Sequence, residues 1–191
     1  MNPGRIGPPG RPRSGLTGFG LVSSCGIGSA RPRLLVIACD DAQVALSRVA
    51  EVESPEMFEL RTVRGRVPWF TGQPTGAAAV IDYVVAELQV SRIIVLGHVP
   101  CGHNPGGLRS VANVKSFAGA RARSGDTRTR GAAESRAAQS HVVRQVCALR
   151  GYPVVRDAIV DRGVKVDAWL HDATSGSLQA YAPSTRTFVS L

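Results

Sequence analysis

Cys39, His98 and Cys101 combine side-chain types and a spacing from which a metal centre could be built. Cys39 follows the apolar run Leu34-Leu35-Val36-Ile37-Ala38, and His98 follows Arg92-Ile93-Ile94-Val95-Leu96-Gly97. Cys101 comes three residues after His98, close enough for one turn to aim both at the same ion. Two thiolates and an imidazole are ligands that zinc prefers, and three protein ligands leave a fourth position for water or substrate. Taken alone, His98-x-x-Cys101 also fits a buried cysteine beside a loop histidine. Cys39, at the end of a second apolar strand, tips the reading toward zinc.

The other candidates have plainer readings. His103 sits in a Gly-rich loop and reads as a solvated residue, while His141 and His171 fall on faces expected to be exposed. Cys147 lies among apolar helix neighbours, where a buried free thiol behaves as a small hydrophobe. Asp40 reads as facing solvent, and Cys25 belongs to the N-terminal region. Four scattered cysteines do not make the disulfide framework of a small secreted domain, so reduced thiols are expected.

The elements that must position these residues follow from periodicity. The two apolar runs suit strands buried on both faces. Phe58 to Val63 alternates apolar and polar, predicting a strand before an Arg64-Gly65-Arg66 turn. Ile81, Val84, Val85 and Leu88 share one helical face, with Thr75 a candidate cap. This helix leads into the 92–97 strand, which implies a right-handed parallel crossover. Val142, Val146 and Leu149 predict another helix, stopped by Gly151-Tyr152-Pro153, and a short helix follows over 154–162. Val164, Val166, Ala168 and Leu170 alternate with Lys165, Asp167, Trp169 and His171, predicting a half-exposed strand that turns at Ser175-Gly176 into residues 178–182. The expected fold is α/β, with a mostly parallel central sheet of about four strands, an antiparallel edge strand and flanking helices. In such sheets, reactive residues gather past the carboxyl ends of the strands, where strand order reverses.

The net charge of +9 is concentrated in two places. Residues 1–33 carry five arginines and no acid, and residues 102–131 carry another +5. Both regions are rich in Gly, Ser and Ala and poor in aromatics, which argues against a base-stacking surface and hence against specific nucleic-acid binding. The expected organisation is a disordered tail over 1–33 and one domain over 34–191, with 102–139 a flexible basic segment. No apolar run approaches the roughly 20 residues of a membrane span, and no compact secretory signal is present, so a cytoplasmic protein is expected.

The run Val36-Ile37-Ala38-Cys39-Asp40-Asp41-Ala42-Gln43 resembles a segment of the β-class carbonic anhydrases, in which a zinc Cys is followed two residues later by Asp and four residues later by Arg. Ile93 to Gly102 resembles that family's second segment, Gly-His-x-x-Cys-Gly after a hydrophobic strand. The helix between, and Trp169, Asp172, Gly176, Leu178 and Tyr181 near the end, are similar as well. The resemblance implies zinc held by Cys39, His98 and Cys101, hydration of carbon dioxide to bicarbonate, Asp41 orienting the attacking hydroxide, and a homodimer or higher homo-oligomer. It departs at Gln43, where the family has the Arg that clamps the Asp. A neutral amide lacks the charge and the two-pronged fork of Arg. Asp41 is then also a candidate fourth zinc ligand, and Arg61, Arg64 and Arg66 are candidate substitutes for the missing charge. Residues 1–33 replace the family's N-terminal helical arm. Two readings follow: an enzyme acting on carbon dioxide or a similar small electrophile such as carbonyl sulfide or carbon disulfide, or a catalytically silent, zinc-stabilised binding or scaffold protein.

Overall fold

Residues 32–51, 56–73, 76–103 and 127–191 are described by a computed structural model. The expectations for most of the tail, for Thr75 as a cap and for Cys25 lie outside the described residues. The tail's boundary moves, however: Pro32 is buried, and Arg33 bonds through its amide to Glu56 and through its carbonyl to the Ser91 and Arg92 amides.

Among the described residues, six strands form one sheet in the order β2-β1-β3-β4-β5-β6. The strands are β1 Leu34–Cys39, β2 Met57–Thr62, β3 Arg92–Val99, β4 Lys165–Asp172, β5 Leu178–Ala182 and β6 Thr187–Ser190. The first four run parallel, and β5 and β6 are antiparallel additions at one edge. The antiparallel edge thus holds two strands where one was expected, because the chain after Ala182 turns once more. The chain leaves β1 to one side for β2 and returns on the other for β3, so strand order reverses between β1 and β3 and opens a crevice at their carboxyl ends.

Among the described residues, four α-helices pack around the sheet: α1 Leu46–Ala50, α2 Ala77–Ala86, α3 Thr127–Arg150 and α4 Pro153–Arg162. One sheet face, with Leu35, Ile37, Ile93 and Val95, packs with buried residues of α2, α3 and α4. The opposite face, with Leu34, Val36, Ile94 and Leu96, packs against Leu46 of α1 and against Trp169. Burial on both faces accounts for the unbroken apolar runs of β1 and β3.

Three sequence expectations change. Helix α3 begins at Thr127, inside the segment read as flexible over 102–139. Ala132, Ala133, Ala137 and Ala138 favour helix by propensity while making no strong apolar stripe. Trp169, expected on the exposed face of β4, is 7% exposed and has the Arg92 guanidinium 5.1 Å from its ring centre. Cys147, expected to be buried, is exposed.

Two glycines set how closely α3 and the 63–65 turn approach the site strands. A Cβ on Gly97 would collide with Cγ2 of Val142, so α3 lies directly on β3. Gly65 has φ of 61°, and a Cβ there would stand 3.2 Å from the Cys39 nitrogen, a conformation and a fit that a side chain would disturb.

Candidate metal centre

The crevice between β1 and β3 brings the three expected ligands to one point. Cys39 ends β1, His98 is the last residue but one of β3, and Cys101 lies just beyond a cis Val99–Pro100 peptide. Their ligand atoms all lie within 4.8 Å of one another, and the two sulfurs are 4.0 Å apart. Two thiolates on one tetrahedral zinc stand about 3.8 Å apart for Zn–S bonds of about 2.3 Å, so the pair is spaced for that ion.

The electrostatics agree. His98 is 7% exposed, and its Nε2 is buried without a hydrogen-bond partner among the described residues. An orphaned buried nitrogen costs free energy unless something at the centre of the trio uses its lone pair. Burial pushes the Cys39 thiol up to about 12 and holds His98 below its usual value. Neutral imidazole is the form that binds metal, and a dication inverts the preference of a buried thiol and draws off its proton. The trio therefore fits zinc.

Asp41 stands beside the trio, outside the group whose ligand atoms converge. Its Oδ2 accepts a 2.6 Å hydrogen bond from the Gly102 amide, the residue next to Cys101. Gln43 is exposed and, among the described residues, makes no hydrogen bond to Asp41. Of the three candidate arginines, Arg61 reaches this turn, through its backbone. Nη1 donates to the carbonyl oxygens of Cys39 at 3.2 Å and Ala42 at 2.6 Å, and Nη2 donates to that of Val44 at 3.1 Å. Its Nε pairs with the Glu59 carboxylate. Arg61 thus fixes the backbone on both sides of Asp41 while leaving the carboxylate to Gly102.

The histidines read as ordinary surface residues are drawn in. His141 is half-buried on α3, and its Nε2 donates to the Arg64 carbonyl at 2.8 Å. His171 is half-buried and paired in register with His98 across β3 and β4. His103 meets Asp40 at 3.0 Å, and the two form with Cys39 a second group of converging donors at the rim. The register of β4 against β3 places His171, and the helical spacing from Val142 places His141, but neither position is marked by residue type.

The trio lines a cavity of about 100 Å³, walled by Val95, Leu96 and Gly97 of β3 and by Ala137, Ala138 and Val142 of α3, with Arg64, His141 and Arg144 also on its lining. Drug-sized ligands occupy roughly 300–1,000 Å³, so this cavity suits a molecule of a few heavy atoms.

Fold and site together define a class. The solved β-carbonic anhydrase CcaA superposes with a TM-score of 0.64 at 22% identity, covering 85% of this chain and 78% of that one. A tetrameric β-carbonic anhydrase from Sordaria macrospora does so with a TM-score of 0.58 at 26% identity, covering 79% and 81%. The carbonic anhydrase family model matches residues 34–178. Carbonic anhydrase of Pseudomonas aeruginosa is 31% identical over 172 residues, covering 84% of this chain and 78% of its own length. Carbonic anhydrase 1 of Escherichia coli O157:H7 is 30% identical over 175 residues, with the same coverage. The chain belongs to the β-class carbonic anhydrase family and is an enzyme of that class.

Proposed function

We propose that this protein catalyses the reversible hydration of carbon dioxide to bicarbonate and a proton at a zinc site made by Cys39, His98 and Cys101. The observation that carries the reading is the convergence of these three donors, with the unpartnered Nε2 of His98 among them, beside a small cavity with apolar walls. When bound there, zinc supplies a Lewis acid that brings the pKa of water down to about 7.

The chain's own residues do the rest. Asp41, with Oδ2 committed to Gly102, keeps Oδ1 to accept a hydrogen bond from the reacting water and so aim its oxygen at the substrate carbon. Arg61 holds the turn that carries Asp41, supplying by backbone contacts the order that a clamp from position 43 would give by a side chain. The walls contributed by Val95, Leu96 and Val142 receive an uncharged linear molecule and offer little to an ion.

Assembly as a homo-oligomer is supported by the tetrameric relatives from Sordaria macrospora. A cytoplasmic location suits the three free thiols among the described residues. No described helix is long and apolar enough to cross a membrane.

Stopped-flow hydration of carbon dioxide on zinc-loaded protein tests the proposal. Acceleration that disappears on chelation and returns with zinc is the expected result. A fully zinc-loaded protein without that acceleration would overturn it; turnover of carbonyl sulfide or carbon disulfide in the same preparation would identify a different electrophile, and none would indicate a zinc-stabilised binding protein.

A further inference from the structure

A second cavity, of about 360 Å³, opens beside the metal cavity and shares Arg64, His141, Arg144 and Gln145 with it. Its other walls add Arg66 and Trp69, so three arginines line one space. Cross-element hydrogen bonds hold that wall in place. The Arg64 carbonyl receives the His141 Nε2–H bond, and the Val67 amide donates to Oε1 of Gln145 at 3.0 Å, which ties the 64–67 segment to the part of α3 that carries Arg144. Arg64 itself adopts a left-handed backbone conformation, φ 63°, and the Gly65 that follows seats against Cys39. Strained backbone of this kind persists where its surroundings enforce it.

Among the described residues, no acid is paired with the charges on this wall: ion pairs engage Arg61, Arg92 and His103, and none engages Arg64, Arg66 or Arg144. The field is felt nearby: His141 is held below its usual value first by burial, and then by the charges of these same three arginines, against the Arg64 carbonyl that raises it. A cleft lined by one sign of charge concentrates counter-ions, and a guanidinium fork matches paired oxygens better than it matches a spherical ion.

We propose that Arg64, Arg66 and Arg144 form a binding site for a small oxyanion in the cavity that adjoins the metal cavity. Bicarbonate is the oxyanion the reaction would supply there; that identification rests on the function proposed above, whereas the site itself rests on the three arginines and the shared cavity. An anion formed against apolar walls would move to this neighbouring cationic wall, and other oxyanions of similar size would compete for it.

Isothermal titration of the zinc-loaded full chain with inorganic phosphate, at an ionic strength fixed with sodium chloride, tests the site. Saturable uptake is expected, and the Arg66→Gln/Arg144→Gln pair should weaken it about fivefold for each guanidinium removed. The Arg66→Lys/Arg144→Lys pair should retain part of the affinity by keeping charge while losing the fork. Both positions are exposed, so melting temperatures should match that of the unaltered chain. Phosphate affinity unchanged in the glutamine pair would place the anion on the metal and overturn the proposal, as would heat equal to that from chloride alone. The titration does not depend on turnover, so loss of hydration activity with phosphate binding intact would refute the reaction and leave the site standing.

Discussion

The Asp41 carboxylate accepts a 2.6 Å hydrogen bond from the backbone amide of Gly102, so the residue expected to orient the reacting water is held by the loop that carries a metal ligand. A Cβ on Gly102 would stand 3.0 Å from that same Oδ2. Gly102→Ala should therefore displace Asp41 and lower kcat/KM for carbon dioxide about tenfold, the equivalent of one charge-assisted hydrogen bond. Zinc content should stay near that of the unaltered chain. Stopped-flow assays with parallel elemental analysis read both, and a fall in zinc would assign Gly102 to ligand placement instead.

Gln43→Arg, which from sequence should raise activity by restoring the clamp, is now expected to change kcat/KM by less than about threefold. The amide of Gly102 already engages the carboxylate, and Gln43 is exposed. A gain of tenfold or more would show that the arrangement around Asp41 lacks a charge.

Arg61 is a different matter, because one guanidinium satisfies three loop carbonyls. Arg61→Gln should cost about 3 kcal/mol of stability, as expected when a charged donor is removed from several partly buried acceptors and Glu59 loses its partner. Urea titration measures this. Arg61→Lys should recover less than half of the loss, since an ammonium cannot span the three oxygens. Equal stability of the two variants would mean that charge alone suffices.

Replacing Cys101 by Ser should remove most of the zinc expected at about one ion per chain. Elemental analysis after exhaustive dialysis provides the measurement. Full retention would reassign the ligand set, with the neighbouring group of Cys39, Asp40 and His103 as the first alternative.

His141 gives a pH signature. Its folded pKa lies below the ordinary 6.5, chiefly through burial, so the unfolded chain takes up the proton first as pH falls. The stability it contributes is complete above about pH 6.5 and declines below that value toward the folded pKa. Denaturation at pH 7.5 and pH 5.5 should show a larger acid loss in the unaltered chain than in His141→Gln, which has an amide in place of the ring. Identical losses would mean that His141 titrates alike in both states.

The parts of the site visible in the sequence are those carried by buried parallel strands, whose continuous apolar runs mark both the strand and its end. Cys39 and His98 could be placed for that reason, and Cys101 by its distance from His98. What holds Asp41 was not visible, because the Gly102 donor is a backbone amide and the Arg61 acceptors are carbonyls, groups every residue possesses. For His141 and His171, alternation and helical spacing assign a face without saying whether another element covers it. The first turns of α3 were missed for the opposite reason: alanine favours helix without writing an apolar stripe.

The two cysteines of the site stand 62 positions apart in the chain yet 4.0 Å apart in space. In polymer terms, an ion joining them is a removable cross-link that closes a loop of that length. The loop-closure estimate for a permanent link of this span is about 4 kcal/mol of lost freedom in the unfolded chain. Much of that loop is β2, α2 and β3, so such a link would fasten the half of the sheet whose contacts are most distant in sequence. Metal supply would then govern how much of this protein persists folded, independently of how fast it turns over.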